Sequence, residues 1–579
     1  MADDGLVIRG IDWRQTFPFV QIFRSFRIAI HLSKLAMGMA LLLTIFFGGS
    51  ILDSLWPARS RAVDGEIAQY QLIVSGAEQG TLTDWRISMQ KQTEDAYAAM
   101  LLQYGVIPPS TNPLSDTSHQ TAETAAAGHH DLSDLTKKII AHRDEQVMTI
   151  DKEYSDALAA ADKTYNAKPD APDAAKIQKE SKDAAKQQWT NDRRAAYDAA
   201  SADIRKAQSI MGVGLFDTFF NFEIRQVTNV VYSVVRNNWV DSGGVVDSIY
   251  NFFAIGPTWL IWNHTVFFIL FALLFLLAWS LFGGAISRMA AVHIARDEKI
   301  SVREALNFAV GKLLSFASAP VIPVVIVLVI GLVVSVVAMV FGCSSLLSPI
   351  MGIFFFLPLL AGFVMTLVLL GTVGGINLMY PTIAVEGSDS FDAISRSFSY
   401  VYARPWRLLF YTAVAIVYGA ATYLFVHVFI WLMLVVVHNF AGLWMFRSAP
   451  NTRDLFSTMW PSPLVTGRLA YSYDYTALGY GDRIAAFCIQ GWVMLLVAFL
   501  GAFAISLYFS SNTIIYFLIR SEVDATEMED VYLEQPEEDD EPIVAVATTT
   551  TVAVATEPAP PAAEAPRTEP PPSGDAPTA

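Results

Sequence analysis

The chain has 579 residues, 53% of them hydrophobic and only 16% charged, with a mean hydropathy of +0.39. Soluble domains usually carry about 25% charge, so the composition argues against a soluble protein and for a polytopic membrane protein. The formal charge is −16, but residues 521–579 hold fifteen acids against one base, Arg567, so −14 belongs to that tail. The rest is nearly neutral, which is a poor footprint for nucleic acid. Two cysteines, Cys343 and Cys488, exclude a disulfide-rich fold and a four-cysteine metal site.

In residues 1–34, Trp13, Phe17, Phe19, Phe23, Phe26 and Ile30 interleave with Arg14, Arg24 and Arg27. Pro18 suits a first helical turn. The segment reads as a cytoplasmic amphipathic helix in the headgroup layer, arginines toward anionic lipid. Packing against the spans is the alternative.

A span needs about 20 largely apolar residues. Six stretches qualify: 35–56, 259–284, 316–341, 351–378, 408–438 and 485–518. The first is too far into the chain, behind too many charges, to be a cleavable signal.

Basic residues in short flanks set orientation. Residues 1–34 (Arg9, Arg14, Arg24, Arg27, Lys34), the loop 285–315 (Arg288, Arg296, Lys299, Arg303, Lys312) and the loop 379–407 (Arg396, Arg404, Arg407) all fall on one side. That side is expected to be the cytoplasm, with both termini. The loop 439–484 dissents, since it lies outside yet carries Arg447, Arg453, Arg468 and Arg483.

Residues 57–210 then form an extracytoplasmic helical domain. One helix of mixed polarity is expected over 58–105, and a Pro/Ala/Thr/His-rich linker over 106–131. Two Ala/Lys/Asp/Glu-rich stretches, 134–166 and 173–210, are parted by Pro169 and Pro172. Val147, Ile150, Tyr154, Leu158, Ala161 and Tyr165 recur every three or four residues, so the pair reads as a coiled-coil-like hairpin. Its thin seam buries little alone, so it is expected to pack on residues 58–105, on a second copy or on another protein. Residues 211–258, aromatic but interrupted by Asp217, Glu223, Arg225 and Arg236, read as amphipathic helices on the outer leaflet.

The membrane bundle, 259–520, contains a repeat. Ser301-Val-Arg-Glu304-Ala305-Leu306 leads through Lys312 into a span, and Ser390-Phe-Asp392-Ala393-Ile394 leads through Arg407 into another. Span, surface helix and span thus recur, over 259–341 and 351–438. Asp389 and Ser390 can cap the second surface helix, with Asp392 in its first turn. Pro381 and Pro405 frame the loop, and its arginines can reach phosphates or Glu386. The run from Pro381 through Glu386-Gly387 to Ala393-Ile394-Ser395-Arg396-Ser397-Phe398 resembles a loop in poorly characterised bacterial polytopic proteins. These include the membrane domain attached to some glycerophosphodiester phosphodiesterases. The resemblance covers about 30 residues and implies a helical membrane bundle. No phosphodiesterase domain is visible, so it implies no activity.

Other candidates have ordinary explanations. His427 and His438 stand eleven residues apart, nearly on one helix face, where haem or proton transfer competes with hydrogen-bonded packing. His264 lies near a span's outer end. His119, His129, His130 and His142 around the linker lack the fixed geometry of a metal site. Cys343 and Cys488 are near outer span ends, where a disulfide in an oxidising compartment competes with two free thiols. Gly371 and Gly375 have GxxxG spacing for packing within the bundle or dimerisation. The tail 521–579 reads as disordered. No catalytic, cofactor or metal residue is assigned and no enzyme is expected.

The expectation is an all-α polytopic protein of a bacterial inner membrane. It scaffolds or binds a protein partner in the envelope, with homo-oligomerisation open. The alternative is a transporter or lipid-handling protein built on the repeat.

Overall fold

The computed structural model describes residues 17–57, 60–107, 132–169, 173–342, 348–464 and 471–532. Among them regular structure is helical, apart from two isolated β-bridges. The principal helices are α1 (Leu32–Leu55), α2 (Glu66–Val74), α3 (Leu82–Gln103), α4 (Leu132–Ala167), α5 (Ala174–Gln208), α6 (Leu215–Val235) and α7 (Thr265–Arg296). They continue as α8 (Val302–Gly311), α9 (Leu313–Gly342), α10 (Phe356–Glu386), α11 (Ser390–Ala403), α12 (Pro405–Gly442) and α13 (Tyr480–Val523). Six of them, α1, α7, α9, α10, α12 and α13, are long and apolar enough to cross a membrane.

Several boundaries differ from the sequence reading. The second span begins at Thr265, not Trp259, because the chain breaks at His264 (φ −136°, ψ 47°). Residues 256–263 form a separate short helix. The expected single helix over 58–105 is two, parted at Gly76 and Gly80, which both take positive φ, and Thr81 caps α3 by accepting from the Asp84 amide. Pro381 lies inside α10, which runs on to Glu386. Residues 285–295, expected to be loop, are the buried last turns of α7.

Helix length explains these extensions. A hydrocarbon core is about 30 Å thick. At about 1.5 Å per residue, the 32 residues of α7 reach ~48 Å and the 44 of α13 ~66 Å. The surplus is buried in protein at one end of the bundle, here called the base. Residues 283–295 of α7, 378–385 of α10 and 509–520 of α13 are buried there without interruption. Around them lie α8, α11 and the segment 18–29. By contrast, the most apolar stretch of α9 has no buried residue. The helices α7 and α13 are central, each touching α1 and α10.

The amphipathic N-terminal segment is committed to protein as well. Ile22, Ser25, Ile28 and Ala29 are buried. Phe19, Phe23 and Phe26 meet Phe410, Tyr418 and Phe503 edge-on. Its aromatic face therefore packs on α12 and α13, the alternative sequence reading. Both surface helices open alike: the Ser301 hydroxyl accepts from the Glu304 amide at 3.2 Å and the Asp389 carboxylate from the Asp392 amide at 2.9 Å. The GxxxG stripe receives α11, not another span. A Cβ on Gly371 would stand 2.9 Å from the Phe398 ring and one on Gly375 3.2 Å from Ser397.

At the opposite end, Asp53 closes α1 by capping a different helix. It accepts from the Phe216 and Asp217 amides at 2.9 and 3.0 Å, satisfying first-turn donors of α6. Gly214 permits this approach, since a Cβ there would fall 2.1 Å from Asp53 Oδ2. Asp53→Ala is expected to lower stability by about 1–2 kcal/mol, read as a reduced Tm in detergent. Asp53→Asn should recover part of the loss. An unchanged Tm for the alanine variant would show that the cap carries no weight.

Candidate functional site

The hairpin of α4 and α5 is a long, largely exposed element, and its mounting is specific. α4 and α5, 36 and 35 residues, reach about 54 and 52 Å. Leu135, Ile139, Ala200, Ile204 and Ala207 at its root pack on Tyr97 and Leu101 of α3. Higher up, the hairpin leans on the loop between α12 and α13. Arg143 Nη1 donates to the Thr476 carbonyl at 3.0 Å and Arg193 Nε to the Pro450 carbonyl at 2.7 Å. Ser201 bonds Asp474, and Arg453 pairs with Asp198 at 2.7 Å. Arg193 also grips Asp151, whose carboxylate accepts from Trp189 Nε1 at 2.7 Å, so the two arms lock at the level of the loop. From Asp151 to Ala167, α4 climbs about 24 Å further. There the arms are mostly exposed, including Ile177, while Ala161 holds the seam.

These contacts employ the basic residues that dissented from the orientation rule. Arg453 serves the hairpin, Arg447 pairs with Asp482 at 2.6 Å, and Arg483 donates to the Leu478 carbonyl at 2.9 Å. Arg468 lies outside the described residues.

Below the hairpin, Glu66 is fully buried. One oxygen meets His264 Nε2 at 3.1 Å and Trp259 Nε1 at 3.2 Å; the other accepts from the Val63 amide at 3.0 Å and lies 3.5 Å from Arg86. Burial alone would raise its pKa. The His264 hydrogen bond, the Val63 amide and the Arg86 charge outweigh that and hold it below the ordinary value. His264 is thus a structural partner.

Glu223 on α6 is the opposite case. Its carboxyl rests on Gly256, and neither oxygen has a hydrogen-bond partner among the described residues. Burial raises its pKa to about 8. Asp217, nearer the start of α6, is also raised, by burial and then by the Asp53 charge.

At the base, the loop singled out by resemblance is a junction. Glu386 ends α10 and meets Arg396 at 2.9 Å, Arg520 at 3.4 Å and the Tyr516 hydroxyl at 2.5 Å. Arg396 also reaches Asp392, and Arg520 binds Asp530 at 2.9 Å. Gly387 takes φ +64° as the left-handed C-terminal residue, with Tyr532 where a side chain would stand. Arg407 is held by Glu522 at 2.5 Å. Two of the three candidate headgroup-binding arginines are therefore already engaged by carboxylates. The tail boundary moves too, since residues 521–532 fold back: the Tyr532 amide donates to the Val385 carbonyl at 2.8 Å and Tyr400 bonds Asp524.

His438 Nε2 lies 3.0 Å from the Trp460 carbonyl, and His427 is buried near Tyr423. His142 contacts Gln146 and Tyr104. His119, His129, His130 and Cys343 lie outside the described residues, and Cys488 is an exposed free thiol. Among the described residues no group of three or more His, Cys, Asp or Glu is placed to hold a metal. Sequence reasoning anticipated the reach of a loop arginine to Glu386, but missed Glu66 and Lys34, whose partners His264 and His293 lie far away in the chain, and the burial of Glu223.

Comparison with protein-family models, curated proteins and solved structures finds no match for this chain.

The Glu223 carboxyl supplies a pH prediction. Burial pushes its folded pKa up to about 8, well above the ordinary glutamate range, so the native state holds the proton more tightly. Its contribution to stability is full below the unfolded pKa and is lost as pH rises through 8. The wild type should therefore lose Tm between pH 5 and pH 8 relative to Glu223→Gln. The variant should match it at pH 5 and exceed it at pH 8. Parallel profiles for the two proteins would refute a protonated, buried Glu223.

Proposed function

We propose that this chain is an integral membrane scaffold of the bacterial cell envelope, with both termini cytoplasmic. Its bundle anchors a rigid helical hairpin that engages a protein partner on the extracytoplasmic face. The observation that carries this reading is the hairpin's form. It is cross-braced at half height by Arg143, Arg193 and Arg453, and its upper half extends about 24 Å past those braces. Bracing removes the entropy of a swinging arm before a partner binds. The upper surface alternates charge and carries an exposed Ile177, suiting a helical protein surface better than a small molecule. The membrane spans contribute few charged groups at mid-depth, which favours anchoring over ion-coupled transport.

A second reading, transport or lipid handling, draws on one observation. Two units of span, capped surface helix and span occur in succession, α7–α8–α9 and α10–α11–α12. It predicts lipid or solute flux in liposomes that falls in an Arg396→Ala variant.

Photocrosslinkers at Ala159 and Ile177, both exposed in the upper half, of the full-length protein, expressed in its native membrane, test the first reading. Both positions should trap the same protein, and Arg193→Ala combined with Arg143→Ala should reduce that yield several-fold without lowering expression. Adducts to this chain alone would make the hairpin a self-association element. Flux in liposomes with no tip adduct would favour the second reading. A cysteine at Lys163 should react with an impermeant thiol reagent from outside; reaction only after permeabilisation would overturn the orientation.

A further inference from the structure

Lys34 stands at the start of α1 with a relative exposure of 2%. Its Nζ lies 3.1 Å from His293 Nδ1, a donor to a neutral ring nitrogen. Among the described residues no carboxylate is in salt-bridge range of Lys34 or of Lys299. Those two lysines, His31, Ser33, His293, Met289 and Ile300 line a small, open cleft at the protein surface. Asp297 sits 3.7 Å from His293 Nε2 and is itself exposed.

A buried ammonium without a counter-charge is costly to fold. The crowding of positive groups has a second sign: burial, then Lys34 and Lys299, hold the His31 imidazole below its ordinary pKa. His31, the N-cap of the 24-residue α1, and Ser33 lie on the wall of the same cleft, 2.9 Å apart through Nδ1 and Oγ. The buried lysine and the exposed lysine together offer ammonium donors to an anion at the mouth of this cleft. Beside it in the chain, Ile30 and Leu32 are exposed apolar residues at the end of a membrane-length helix.

We propose that this cleft binds the phosphate of an anionic phospholipid headgroup, with Lys34 and Lys299 as its ammonium ligands and Ile30 and Leu32 against the glycerol and acyl region. A phosphate monoester in solution shares the charge chemistry but lacks the apolar portion. The apolar flank therefore selects lipid. Occupation would supply the missing counter-charge and pin α1 to the last turns of α7.

The test uses the full chain in neutral detergent, titrated with phosphatidylglycerol, with phosphatidylcholine or with glycerol phosphate, and follows Tm. Phosphatidylglycerol should raise Tm, phosphatidylcholine should not, and glycerol phosphate should act at least about tenfold more weakly. Lys299→Ala, on an exposed side chain, should weaken the phosphatidylglycerol response about fivefold. Lys34→Met should abolish it while leaving lipid-free Tm equal to or above wild type, because a buried charge without a carboxylate has been removed. An unaltered lipid response in Lys34→Met and Lys299→Ala would overturn the proposal, as would a Lys34→Met protein less stable than wild type in the absence of lipid. Equal potency of glycerol phosphate would make this a site for a soluble phosphate and overturn the lipid assignment.

Discussion

A bilayer can satisfy only apolar surface, and the bundle's long helices exceed what it can cover. α7 and α13 overshoot a ~30 Å hydrocarbon core by roughly 18 and 36 Å. Each extra turn is still apolar on several sides, because Ala, Ile, Met and Val dominate residues 285–295 and Ser, Ile, Tyr and Phe residues 509–519. Outside lipid, such turns need a protein jacket. The base provides one with three amphipathic pieces, 18–29, α8 and α11, whose apolar faces point inward onto the overhangs. Polar groups inside that jacket must then be paired, which accounts for the Glu386–Arg396–Arg520 junction and for Arg288 donating to the Ala384 carbonyl at 2.8 Å.

The opposite end meets the same demand with carboxylates. Asp53 caps α6, and Glu66 ties α2 and α3 to the approach of α7. The cluster of Leu41, Ile45, Phe216, Trp259 and Phe271 then welds the root of the outer domain to α1 and α7. The hairpin consequently rises from a fixed platform. Two carboxylates differ in outcome for one reason: Glu66 has four donors around it, whereas Glu223 has none among the described residues. Desolvation is offset in the first and unopposed in the second.

The helical class, the six membrane-length helices, the two surface helices and the hairpin were legible in the sequence, because each is written in periodicity or composition over tens of residues. Caps at Ser301 and Asp389 were legible for the same local reason. Pairings were not. Nothing around Lys34 announces His293, 259 residues away, and nothing around Glu386 announces Arg520. Boundaries failed where an apolar run continued into protein instead of ending in water, as at residues 284–296. The tail's start was misplaced because acids read as solvating when Arg407 and Arg520 in fact hold Glu522 and Asp530. The break at Gly76 and Gly80 was visible as residues yet lost within a longer helical pattern.

Charge counting illustrates the limit most clearly. The orientation rule treats every Lys or Arg in a short loop as a vote, but it presumes solvated, unpaired bases. Arg288 is buried in α7, Arg396 and Arg407 are neutralised by Glu386 and Glu522, and Arg453 and Arg447 by Asp198 and Asp482. With these set aside, the loop 439–484 loses two of its four bases to carboxylates. The flanks on the side of the base keep Arg24, Arg27, Lys299, Arg303, Lys312 and Arg404, for which no carboxylate pairing appears among the described residues. The asymmetry is therefore sharper after folding than before it. These bases lie at the base with Lys34, which among the described residues has no carboxylate in salt-bridge range, and an anionic membrane surface is the environment in which that arrangement costs least.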